Sequence, residues 1–175
     1  MKRLIFCCAI AVALFSACSK DKDGSDQVPE NTFSVNSGNP IETPYGFRIQ
    51  WSTEEGGRML ISNANVNNLS FSGKVTGIQV EIDTFVNGQT YMYMPRESAS
   101  FDKKKNFSIA TTGLDADFSN GNIVSGTGTQ LAELSSGSIK IEKDPSETYR
   151  ISYVLDYTEA VIQGNFRGLM PVVND

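Results

Sequence analysis

The chain of 175 residues holds no histidine and has three cysteines, all within its first 18 positions; its formal charge is −5. Without histidine it cannot form a Ser-His-Asp triad, a Cys-His pair or the usual zinc sites. The acidic balance excludes nucleic acid as a partner, because contact with phosphates needs clustered lysine and arginine.

Lys2 and Arg3 open the chain, Leu4 to Phe15 is apolar, and the small residues Ser16 and Ala17 stand directly before Cys18. This is the layout of an export signal. The apolar run is shorter than the ~20 residues that span a bilayer. The stretch resembles the lipobox of bacterial lipoproteins, with Phe15 where that family usually carries leucine. The resemblance implies cleavage after Ala17, lipid on Cys18 and attachment to the outer membrane. Acyl chains anchor a protein with about 0.8 kcal/mol per buried CH₂. Loss of Lys2 and Arg3 with the leader takes the formal charge from −5 to −7.

Ser19 to Asp26 is polar and charged, which predicts a flexible spacer. The run Lys20-Asp21-Lys22-Asp23 resembles the signal that sends Bacteroidetes lipoproteins to the cell surface; a periplasm-facing position is the alternative. The expected layout is a signal peptide over 1–17, a lipidated cysteine and tether over 18–31, and a single β domain over 32–175.

Alternation dominates from Phe33 onward. Phe47, Ile49 and Trp51 share one face of a strand, as do Ile78, Val80 and Ile82, then Ile139 and Ile141, then Tyr149, Ile151, Tyr153 and Leu155, then Ile162, Gly164 and Phe166. A period of two means antiparallel strands with one face in the core. Phe47, Ile49 and Trp51 are therefore expected in the core. Asn87-Gly88 and Asn120-Gly121 predict hairpins, since both residue types tolerate the positive φ of tight turns. Lys143 to Glu147 predicts a third hairpin, and Lys103 to Asn106 offers a fourth. The spacing gives about ten strands in an all-β, antiparallel β-sandwich, with a calycin-like flattened barrel as the alternative.

The C-terminal half adds a second resemblance. Ser125-Gly-Thr-Gly-Thr129, Ser136 to Lys143, Thr148 to Asp156 and Ile162 to Leu169 are similar to a pattern in small Bacteroidetes lipoproteins of unknown function. That family implies an all-β sandwich and brings no catalytic residues.

Several groups are candidates for chemistry. Glu81 and Asp83 lie two apart on one strand, so a rise of about 3.3 Å per residue sets their Cβ atoms about 6.5–7 Å apart, as in paired glycosidase carboxylates. The simpler reading is a solvated strand face. Asp115, Asp117 and Asn120 resemble half of a calcium loop but lack its later glutamate. Tyr91, Tyr93 and Met94 put large groups on both faces of one strand and are candidates for ligand binding. The Gly-rich stretch Ser125 to Thr129 is followed by no Gly-Lys-Ser/Thr and is not a phosphate loop.

These readings lead to a lipid-anchored binding or interaction module of the cell envelope. Its expected partners are the membrane through the lipid, and an envelope protein or a glycan. No cofactor is expected. A small-ligand carrier and a carboxylate-based hydrolase are the alternatives, and an empty apolar lumen or a deep cleft at Glu81 and Asp83 would distinguish them.

Overall fold

The computed structural model describes residues 29–52, 56–68 and 70–173. Residues 1–28, with Cys18 and most of the tether, lie outside that range, and so does the side chain of Trp51.

The described chain is all-β, with two sheets of seven strands each. Strands are numbered in chain order. Sheet 1 runs β2 (Ile41–Glu42), β1 (Thr32–Val35), β13 (Val161–Leu169), β12 (Thr148–Tyr157), β11 (Leu134–Lys143), β6 (Thr90–Tyr93), β7 (Asn106–Phe107). Sheet 2 runs β10 (Thr129–Leu131), β8 (Ala110–Ser119), β5 (Gly73–Ile82), β4 (Gly56–Ser62), β3 (Tyr45–Ser52), β14 (Val172–Val173), with β9 (Asn122–Ile123) also on β8. Pairing is antiparallel except at β6–β7 and β14–β3. The excess over ten strands comes from four two-residue strands, β2, β7, β9 and β14.

The two sheets pack face to face over one core cluster. Sheet 1 supplies Phe33, Tyr91, Phe107, Ile139, Ile141, Tyr149, Leu155, Ile162 and Phe166; sheet 2 supplies Met59, Ile61, Ile78, Val80 and Ile82. Of these, Ile78, Val80, Ile82, Ile139, Ile141, Tyr149, Leu155, Ile162 and Phe166 are positions that the period of two marks out. Each fully buried aliphatic or aromatic side chain contributes about 1.5–3 kcal/mol.

Three local expectations are corrected. Val86 to Gln89 is a turn, with Gln89 N–H bonded to the Val86 carbonyl at 3.1 Å, but it is not a hairpin. It carries the chain from β5 in sheet 2 to β6 in sheet 1. Only Gly88 there has positive φ, at 80°, whereas the hairpin turn of type I′ needs it at both central residues. Lys103 to Asn106 makes no hairpin either: it feeds β7, which lies parallel to β6. The third concerns which way Phe47 and Ile49 point. It is Gly46 and Arg48 that face the core: a Cβ on Gly46 would strike Phe166 and Met170, and the Arg48 guanidinium sits 5.3 Å from the Tyr149 ring. Phe47 is buried as expected, at 4% exposed, but it pairs with Leu60 and so lies on the outer side of sheet 2, apart from the main core cluster.

Candidate functional site

The outer side of sheet 2 carries a groove of about 320 Å³. Its floor is the pair of central strands. Ile78, Val80 and Ile82 of β5 turn inward, so Val75, Gly77 and Gln79 turn outward; Thr111 and Gly113 do the same on β8. Gly77 pairs directly with Gly113, so two neighbouring strands lack a side chain at one level and leave bare backbone. Glycine inside a strand often marks such a close approach.

A bulge shapes one end. Val75 pairs with Ala116 and Gly77 with Gly113, so Thr76 alone faces both Leu114 and Asp115. Asp115 has φ of 54°, a conformation that Asp and Asn reach more readily than most residues. The Thr76 hydroxyl accepts from Asp115 N–H at 2.8 Å. The extra residue turns Ala116 to the groove side, where it joins the lining, as bulges generally re-aim side chains.

One wall comes from the arm between β8 and β10. Asn120 and Gly121 turn the chain with φ of 52° and 79°, and Ser119 pairs with Asn122, so this expected hairpin forms. Val124 N–H bonds the Asp117 carbonyl at 2.7 Å, and Asp117 N–H bonds Thr127 Oγ1 at 2.8 Å. These contacts hold Ile123, Thr127, Thr129 and Gln130 along the groove, opposite Leu60. Ile123 is 53% exposed. Val75 is shared with a small outer cluster of Ala64 and Phe118, against which Val66 and Phe71 pack.

Every lining side chain is uncharged. Leu60, Val75, Ala116 and Ile123 are aliphatic. Gln79, Thr111, Thr129 and Gln130 offer amides and hydroxyls with no hydrogen bond to any described residue. The site can thus bury a neutral aliphatic or ring surface and hydrogen-bond its polar edges without an ion pair. It joins segments distant in sequence and is made partly of missing side chains. The one signal in the sequence is a glycine at an outward position in each of two alternating strands.

The residues expected to bind ligand are placed otherwise. Tyr91 is fully buried; its hydroxyl accepts from Val86 N–H at 2.7 Å and donates to the Thr84 carbonyl at 2.9 Å. Burial pushes its phenol above the usual range, against the opposing pull of the Val86 hydrogen bond. It is a core residue and presents no surface to a ligand, which corrects its assignment. Tyr93 is half-buried with its ring 5.9 Å from Phe107, and Met94 is half-buried with its N–H on the Phe107 carbonyl. Only Met92, outside that set, is freely exposed, at 52%.

Asp115, Asp117 and Asn120 do not converge on an ion. An Asp117 oxygen lies 2.6 Å from the Lys74 ammonium, an Asp115 oxygen takes the Thr76 hydroxyl at 3.4 Å, and Asn120 stands at the turn. Among the described residues no group of three or more His, Cys, Asp or Glu could hold a metal. Glu81 and Asp83 share Arg96, whose guanidinium nitrogen is 2.8 Å from Asp83 and 3.5 Å from Glu81. Phe101 lies against that guanidinium, 5.4 Å from the ring centre. The hydrogen bond that Arg96 donates to Asp83 raises its guanidinium further above its usual range. Both carboxylates are thus engaged by a single guanidinium.

Between the sheets, Phe33, Tyr91, Phe107, Tyr149 and Phe166 are fully buried and occupy the space that a carrier would keep for its ligand. Compared with known protein families, curated proteins and solved structures, the chain finds no match.

Proposed function

We propose that the chain is a lipid-anchored module of the cell envelope that binds an uncharged ligand, a neutral glycan or a neutral stretch of an envelope protein, in the groove on the outer side of sheet 2. The observation that carries this reading is the pairing of Gly77 with Gly113 beneath a lining without charges. Grooves with an apolar floor and a few unengaged polar groups are the usual form of a ligand site. The filled core weighs against the carrier, and Arg96 weighs against the hydrolase.

The test is a pull-down from envelope extracts and a glycan panel, with the membrane-extracted protein beside its Gly113→Leu variant. A Cβ at Gly113 meets nothing within 4 Å, so leucine fills the groove and leaves the fold intact. A ligand held by the parent and lost by the variant supports the proposal; equal capture by both sinks it. Anchoring is tested separately, by labelled palmitate on the parent and on Cys18→Ala. Protease treatment of whole cells then separates a surface position from a periplasmic one.

A further inference from the structure

The chain has two Asn-Gly steps, Asn87-Gly88 and Asn120-Gly121. The structure treats them oppositely. Asn87 is clamped: its Nδ2 donates to the Lys143 carbonyl at 2.8 Å, and its Oδ1 accepts from Lys143 N–H at 2.6 Å. The next amide is clamped too, with Gly88 N–H on the Ile141 carbonyl at 2.9 Å. At the other step neither group is held. The Asn120 carboxamide makes no hydrogen bond to any described residue, and Gly121 N–H has no acceptor among them. Asn120 is exposed, and the strand beyond it, β9, is two residues long.

We infer that Asn120-Gly121 is a self-modification site, at which Asn120 converts to aspartate and isoaspartate with water as the only co-reactant. The Gly121 nitrogen gives its proton to base and bonds to Asn120 Cγ. The carboxamide C–N bond breaks, and its nitrogen leaves as ammonia. Water then opens the resulting five-membered imide at either carbonyl, giving aspartate or isoaspartate. The reaction needs a free carboxamide and a free following amide, and glycine leaves the approach unobstructed. At Asn87-Gly88 three hydrogen bonds must open before the same atoms can meet.

The product acts on the groove. Isoaspartate lengthens the main chain by one carbon inside a two-residue turn. The turn is held by the pairs Ser119 with Asn122 and Phe118 with Ile123, and their loss releases Ile123 from the wall. This inference does not depend on what the groove binds.

The full chain, purified in detergent, is aged in warm, mildly alkaline buffer, natively and in denaturant. Site-resolved mass spectrometry and isoaspartyl methyl labelling are read at both steps. In the native protein Asn87 should convert roughly a hundredfold more slowly than Asn120, the combined factor of three opening hydrogen bonds. In denaturant the two rates should converge. Equal native rates overturn the inference, as does a difference that survives denaturation, since neighbouring sequence would then be its cause.

Discussion

At the scale of single residues, the two floor glycines of the groove answer differently to substitution. A Cβ at Gly77 would lie 2.4 Å from the Ile61 carbonyl oxygen and 2.9 Å from Ser62 Cβ. Both neighbours are strand residues that cannot move aside, so Gly77→Ala should cost on the order of 1–3 kcal/mol by overpacking. Gly113→Leu should leave the denaturation midpoint within about 0.5 kcal/mol of the parent, as surface changes usually do. Urea titrations of the two variants check the contrast. Arg96 makes a similar case. Asp83 is 14% exposed at its side chain, and its second carboxylate oxygen is buried without a partner. Arg96→Met leaves that carboxylate uncompensated and should destabilise by roughly 1–3 kcal/mol, with Asp83→Asn in the same background restoring part of the loss.

The buried tyrosines set the alkaline limit. Burial pushes Tyr157 up to about 12, and the Thr112 hydrogen bond opposes this only in part. Tyr91 is raised in the same sense. A raised phenol means that the fold prefers the neutral form, so this stability is complete below the unfolded value of 10.0 and is lost as pH rises through about 12. Unfolding midpoints measured across that window should fall, and Tyr157→Phe should make the fall shallower.

At the scale of elements, Asn106 decides how the loop from Met94 to Lys105 is held. Its side chain donates to the Met92 carbonyl at 3.2 Å and accepts from Asp102 N–H at 2.9 Å. Asn106→Ala should cost about 1–3 kcal/mol, the penalty for orphaning buried polar groups. It should also make the exposed Lys103, Lys104 and Lys105 sensitive to trypsin well before the sheets unfold. Tyr91 and Asn106 show what could be read from the sequence. Large groups on both faces around Tyr91 left open which side is covered, and only its pairing with Ile139 puts the ring inside. Turn chemistry foretold chain reversal at Asn87-Gly88 and Asn120-Gly121 alike. It could not foretell that one reversal stays within a sheet while the other changes sheets, because that depends on which strands pair afterwards.

At the scale of the whole molecule, all-β architecture and most of the core were legible, because burial on one face writes a period of two into strands such as β12. Phe47 is buried as its alternation implies, but on the outer side of its sheet, because alternation gives the face and not its direction. The groove was illegible, since β5, β8 and the arm meet only through long-range pairing. Such pairing also ties the ends of the domain together. β1 pairs with β13, setting Phe33 opposite Gly164, and Phe33 is fully buried. Phe33→Ala should therefore cost about 3–5 kcal/mol, measured by thermal or urea unfolding.

The strands that end the two sheets, β2 and β7 in one and β9, β10 and β14 in the other, are two or three residues long. A visiting chain that extended either sheet would find only a few rungs to copy, too few to hold it by backbone hydrogen bonds. Short end strands of this kind guard a domain against edge-to-edge polymerisation. Any partner of this domain would therefore have to be met across a sheet face, where side chains rather than main-chain ladders choose the guest.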